Sequence, residues 1–260
     1  MNRSRHLVVM VKAPRLGAVK TRLAREIGAV AAWRFYRQVA LRTLNELSRD
    51  PRWTLWLQIT PDCRGLFPPA WLKGRKILRQ GKGDLGARMM KPFLELPPGP
   101  VVLIGSDIPL VRRKHIWRAF EVLGNKPLVF GPAQDGGFWL VGQRRSPKNL
   151  RLFEPPVRWS TEHALTDCLR NLPRQTVGFA DRLNDVDDEA AHREWTGYTC
   201  RLSELASLAL DDLTGDGHGL GLGHAGEQIG IVKREQQHRV ADGDVGTGRG
   251  VVEQRVLNQR

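Results

Sequence analysis

Residues 6–22 read His6-Leu7-Val8-Val9-Met10-Val11-Lys12-Ala13-Pro14-Arg15-Leu16-Gly17-Ala18-Val19-Lys20-Thr21-Arg22. An apolar run comes first, then a turn with four cations and one glycine, then a helical pattern. A strand covered on both faces reads as a continuous apolar run, so His6–Val11 is expected to be a central parallel strand. The basic N-terminus and this run superficially resemble a signal peptide. The run is too short for one, and Lys12 and Pro14 close it.

Strand and helix patterns alternate outward from that stretch. Ala29–Ser48 sets Trp33, Tyr36, Val39, Ala40, Thr43, Leu44 and Leu47 along one helical face. Trp53–Ile59 and Lys76–Leu78 read as strands, and Leu85–Leu96 as a helix. Val101–Ile104 is a second buried strand, and Lys114–Leu123 a helix closed by Gly124. Strands over Leu128–Phe130 and Phe138–Val141, a helix over Glu162–Asn171 and a strand over Thr176–Phe179 complete the series. The alternation predicts an α/β fold, a doubly wound and mostly parallel sheet with flanking helices. In such sheets ligands bind beyond the carboxyl ends of the strands.

Composition narrows the function classes. No apolar run reaches the roughly 20 residues that span a bilayer, so no membrane role is expected. Cys63, Cys168 and Cys200 are widely spaced, which suits reduced thiols in a cytoplasmic protein. The formal charge is +14, from 41 Lys and Arg against 27 Asp and Glu. Arginine is scattered throughout, with neither zinc-finger spacing nor an aromatic-basic RNA motif, so nucleic acid is not the expected partner. Character changes near residue 200. No proline follows Pro173, no aromatic follows Tyr198, and 11 of the 27 glycines lie in 201–260. An α/β domain over 1–200 and a Gly-rich, disordered tail over 201–260 are expected, with a helix running over Asp188–Leu213.

Four segments at strand ends carry chemistry. In Lys12–Arg22 the cations Lys12, Arg15, Lys20 and Arg22 and the turn residue Gly17 form an anion-binding pattern ahead of a helix. Lys20-Thr21 ends like a Walker loop, but the glycines that motif needs are missing. In Gln80–Met89 the glycines, Gly83 among them, permit close backbone approach to a ligand; Asp84 suits either ligand contact or an N-cap. In Gly105-Ser106-Asp107-Ile108-Pro109, Asp107 fits a hard divalent cation and equally a turn aspartate before proline. Asp135-Gly136-Gly137 sits between two apolar runs, which is also a hairpin signal. Downstream, Asn184-Asp185-Val186-Asp187-Asp188-Glu189 adds a second carboxylate group.

Together and in this order, these segments resemble the glycosyltransferase-A (GT-A) superfamily. That superfamily includes sugar-nucleotide pyrophosphorylases and molybdenum-cofactor and phospholactate nucleotidyltransferases. Within it the chain most resembles the rSAM/selenodomain-associated transferase 1 family, a glycosyltransferase-like group. The likeness runs from Leu7 to about Glu194 and includes Trp159-Ser160-Thr161 and Asp185-Val186-Asp187.

The resemblance implies a GT-A, Rossmann-like nucleotide-diphospho-sugar transferase fold. It places Lys12, Arg15, Gly17, Lys20, Arg22, Gly83 and Asp84 around the nucleotide phosphates. Asp107 becomes the metal-binding aspartate with Asp187 as second ligand for Mg²⁺ or Mn²⁺, and Asp135 a base near the acceptor. The implied reaction moves a sugar from a nucleotide sugar to an unknown acceptor. The alternative is nucleotidyl transfer of guanylyl or cytidylyl type from a nucleoside triphosphate, and a non-catalytic nucleotide-binding module is the reading of another class.

Overall fold

The computed structural model describes residues 4–145, 150–154, 156–170 and 172–197. The chain divides after Gly197. The expected Gly-rich tail over 201–260 and the distal part of the helix expected over Asp188–Leu213 lie outside the described residues, whereas 189–197 is helical.

The elements follow in the order β1 (His6–Lys12), α1 (Thr21–Ile27), α2 (Ala29–Ser48), β2 (Thr54–Thr60), α3 (Pro69–Leu72), β3 (Lys76–Arg79), α4 (Leu85–Glu95) and β4 (Val101–Gly105). Then come α5 (Arg113–Asn125), β5 (Leu128–Pro132), β6 (Phe138–Gln143), α6 (Ala164–Arg170) and β7 (Val177–Phe179). The strands form one sheet in the order β3-β2-β1-β4-β6-β5-β7. β1 is parallel to β2 and β4, and β5 is parallel to β7. Among the described residues, only β6 runs antiparallel to its neighbours β4 and β5. The mostly parallel α/β sheet read from the alternation is therefore present.

Residues along β1 face alternate sides. Leu7, Val9 and Val11 pack with Ala40, Leu44 and Leu47 of α2 and Ile116 of α5. Val8 packs on the other face with Met89 and Phe93 of α4. Neither face meets water, which accounts for the unbroken apolar run. Fully burying each of these leucines and valines stabilises the fold by about 1.5–3 kcal/mol before ordering entropy is set against it.

Helix α4 contains Pro92. Proline has no N–H to donate to the carbonyl four residues earlier, that of Arg88. The buried Gln58 side chain of β2 donates to that carbonyl instead, at 2.7 Å. Helix α5 corrects one expectation: Gly124 lies inside the helix, which runs on to Asn125. Lys126 still donates to Val122 O, and the turn ends because Pro127 disfavours helical backbone in the residue before it.

β1 lies between β2 and β4, so chain connections leave its carboxyl end in divergent directions. Lys12, Ser106 and Asp107 all emerge there, at the kind of crevice where α/β sheets take ligands.

Candidate active site

The turn after β1 is held from several sides. The Trp33 indole donates to Pro14 O at 2.6 Å, and Val19 is buried in the core beneath α2. Tyr36, also from α2, clamps the strand end. Its hydroxyl accepts from Lys12 N and donates to Lys12 O, both at 2.9 Å, and lies 3.2 Å from Ser106 Oγ. One phenol thus ties the end of β1 to the segment after β4. Burial pushes its pKa up to about 12, so it stays a neutral hydroxyl. From sequence Tyr36 is simply one more residue on the buried face of a helix; nothing local marks its hydroxyl as a clamp.

The turn delivers Lys20 in left-handed backbone conformation, φ 47°. For a non-glycine residue this costs of order 1 kcal/mol and persists only where the surroundings enforce it. Those surroundings are carboxylates. Lys20 Nζ lies 2.6 Å from Asp107 Oδ2, 2.6 Å from Asp187 Oδ1 and 3.8 Å from Asp185 Oδ2. Its side chain is 5% exposed, whereas those of the three aspartates are 28%, 44% and 33% exposed, in the same order. The ammonium sits inside the cluster.

Asp185 and Asp187, two residues apart, both turn their carboxylates toward Lys20. Val186 points the other way and is buried among Leu23, Phe35 and Val39. Asp185 was not among the ligands expected from sequence, although this spacing two residues from Asp187 was the available signal.

Electrostatics follow the geometry. Burial opposes charge on Lys20, but Asp107, Asp187 and Asp185 outweigh it and hold the ammonium above its usual range. Burial pushes the Asp185 carboxyl up to about 7, against the pull of Lys20 and with the repulsion of Asp107, Asp187 and Asp135. Burial likewise opposes charge on Asp187. There Lys20 and Arg22 prevail and hold it below the usual carboxylate range.

Lys20 and Asp107 also line a cleft of about 240 Å³, together with Lys12, Thr21, Gln80 and Ser106 among others; Asp135, Asp185 and Asp187 are not among its lining residues. Of the residues expected around phosphates, Lys12 and Lys20 line it. Arg15, Gly17, Arg22, Gly83 and Asp84 are exposed and not among its lining residues. Lys20 is turned onto carboxylates, because three aspartates offer it more charge than open solvent does. Gly17 makes the turn with φ +74°. Asp84 caps α4 by accepting from Ala87 N at 2.8 Å, the capping alternative. Helix α1 has seven residues, so anion attraction here falls to side chains more than to a helix dipole.

Asp135 stands on the hairpin joining β5 to β6, where its Oδ1 accepts from Gly137 N at 2.9 Å. Gln134 N donates to Asn184 Oδ1 at 2.9 Å, which fastens this hairpin to the segment bearing Asp185 and Asp187. Asp135 thus occupies the hairpin turn, and its charge adds to the repulsion on Asp185.

One ligand atom each from Asp107, Asp185 and Asp187 can be chosen so that all lie within 4.8 Å of one another. Hard oxygen donors at this spacing fit a divalent cation such as Mg²⁺ or Mn²⁺, and the lysine already seated among them shows that the cluster draws positive charge.

The profile of a family described as "uncharacterized protein conserved in bacteria (DUF2064)" matches residues 43–161. A candidate nucleotide-diphospho-sugar transferase from Desulfovibrio desulfuricans G20 superposes with a TM-score of 0.62 at 28% sequence identity, over 71% of this chain and 82% of that one. A 4-diphosphocytidyl-2C-methyl-D-erythritol synthase from Anaerococcus prevotii DSM 20548 covers 75% of this chain and 98% of its own, at 10% identity and a TM-score of 0.48. Among curated proteins, none matches this chain in sequence. With its sheet order, its cleft and the Desulfovibrio likeness in view, the chain has a nucleotide-diphospho-sugar transferase fold of GT-A type.

Proposed function

We propose that this chain is a transferase that uses a nucleotide-diphosphate donor and moves a sugar from a nucleotide sugar to an acceptor hydroxyl. The observation that carries the reading is the meeting of Lys20 with Asp107, Asp185 and Asp187, of which Lys20 and Asp107 line the cleft. A cationic turn and an acidic strand terminus in one cleft suit a diphosphate gripped with the help of a divalent ion. The likeness to the Desulfovibrio protein supports the donor class.

Asp107, Asp185 and Asp187 would hold Mg²⁺ or Mn²⁺, which when bound supplies neutralisation of the charge that builds on the departing diphosphate. Lys12, at the cleft wall, adds positive charge for the phosphates. Asp135 takes the proton of the acceptor hydroxyl as that oxygen attacks the anomeric carbon. The bond from this carbon to the diphosphate oxygen breaks, and nucleoside diphosphate leaves. Tyr36 and Ser106 keep the two strand ends in register, so the groups meet the donor with little reorganisation.

The test is a thermal-shift screen of nucleotide sugars and nucleoside triphosphates with Mg²⁺ or Mn²⁺, followed by product analysis of the hits. A true ligand at a hundredfold its Kd adds roughly 2.7 kcal/mol of stability. Released nucleoside diphosphate supports sugar transfer; released pyrophosphate replaces it with nucleotidyl transfer. No stabilisation by any donor, with folded protein, removes the reading.

A further inference from the structure

We propose that Lys20 is a displaceable counter-ion: its ammonium holds the cation seat among Asp107, Asp185 and Asp187 in the metal-free chain and swings into the cleft when a divalent ion takes that seat. The inference rests on the reading of the cleft given above and deepens it, since it assigns Lys20 a positioning role beyond general phosphate attraction.

Three observations lead there. First, Lys20 Nζ reaches Asp107 Oδ2 and Asp187 Oδ1, each at 2.6 Å, and both carboxylates belong to the cluster that fits a metal ion. An ammonium and a divalent ion cannot both occupy a space whose ligand atoms lie within 4.8 Å of one another, because their repulsion at that range is strong wherever water is scarce. Second, three carboxylates this close repel one another and draw a cation between them. Before metal arrives, Lys20 is that cation; Arg22 is exposed. Third, Lys20 and Lys12 both line the cleft. The flexible four-carbon stem of Lys20 can leave the carboxylates and stay in the cleft, where a diphosphate offers the ammonium new partners.

The exchange has a thermodynamic consequence. Metal must displace Lys20 to bind, and a donor phosphate rewards the displaced ammonium. Metal and donor therefore strengthen one another's binding, and by linkage the effect is reciprocal. Metal alone binds more weakly than the three carboxylates would otherwise allow.

Mn²⁺ alone is the probe. Its affinity is measured by calorimetry for the wild-type chain and for Lys20→Met, with circular dichroism as the folding control. The proposal expects Lys20→Met to bind Mn²⁺ about tenfold more tightly, within the usual range of coupling between sites. A brief pulse of an amine-acylating reagent on the wild-type chain, read by peptide mass spectrometry, gives a second readout that needs no variant. Mn²⁺ should raise acylation of Lys20 several-fold while the exposed Lys73 stays constant. Equal or weaker Mn²⁺ binding by a folded Lys20→Met chain, or a Lys20 that stays protected in saturating Mn²⁺, overturns the proposal, as does a wild-type chain that binds no Mn²⁺. If Lys20→Met does not fold, the acylation result decides. Exchange of Lys20 by Mn²⁺ without binding of any nucleotide upholds this inference and removes the proposed function; donor turnover with Lys20 still protected does the reverse.

Discussion

The ammonium of Lys20, from the turn after β1, lies 2.6 Å from Oδ2 of Asp107, from the turn after β4. Two segments far apart in sequence, one cationic and one acidic, thus share a single point at the carboxyl edge of the sheet.

Asp107→Asn keeps the shape of the side chain and removes its charge. Turnover of whichever donor the screen identifies should fall at least about a hundredfold, the scale seen when one electrostatic contact to developing charge is lost. The thermal midpoint should change little, because Asp107 is partly exposed and Lys20 keeps Asp187. Steady-state kinetics and a melting curve check both halves; unaltered turnover removes Asp107 from the site.

Tyr36→Phe deletes the clamp between the strand ends. It leaves Lys12 N–H and Ser106 without their phenolic partner, which should cost about 1–3 kcal/mol in urea unfolding. A stability indistinguishable from wild type would show that the hydroxyl holds nothing.

Gly136 has φ +80°, and a Cβ there would collide with the backbone carbonyl of Glu162. Gly136→Ala should therefore cost about 2 kcal/mol or more, by strain and by forcing the 161–165 segment off the hairpin. Gly65→Ala is the control: open space surrounds it, and its effect should stay within about 0.5 kcal/mol.

Asp185 sets a pH window. Its folded-state value is pushed up to about 7, against an unfolded value near 3.9. Between these limits the folded chain holds more protons than the unfolded one. This contribution is complete below the lower limit and is lost as pH rises through the upper. Burial lowers the values of His6 and His115, so below their usual value those groups act in the opposite sense and add stability as pH rises. The comparison is thus wild type against Asp185→Asn, both with chelator. Wild type should lose stability relative to the variant between pH 5 and pH 8, as urea midpoints would report. Parallel pH profiles would contradict the shift.

Much of the fold is legible in residues that depend on one kind of neighbour. β1 and β4 read as buried strands because both faces are apolar, and α2 reads as a helix because one face repeats with helical spacing. The antiparallel β6 is not legible in this way: Phe138–Val141 looks the same whichever way it pairs, and its direction follows from the short hairpin through Asp135-Gly136-Gly137. In the candidate site, Asp107, Asp187 and Lys20 are visible as charges at strand ends. Their mutual contact is a tertiary fact. Asp185 escapes notice until Val186 is seen to be buried, and Tyr36 until its hydroxyl is seen facing Lys12 and Ser106. Asp84 shows the reverse: a capping residue and a ligand contact look alike in sequence, and the hydrogen bond from Ala87 N accounts for the carboxylate.

Calorimetric titration of nucleoside diphosphates into the wild-type chain and Asp107→Asn, each with and without Mn²⁺, tests the central claim most directly. The account predicts that at least one nucleoside diphosphate binds the wild type, that Mn²⁺ strengthens it, and that Asp107→Asn removes the Mn²⁺ effect while the chain stays folded. Binding of equal strength in all four conditions, or none at millimolar concentration, would contradict it.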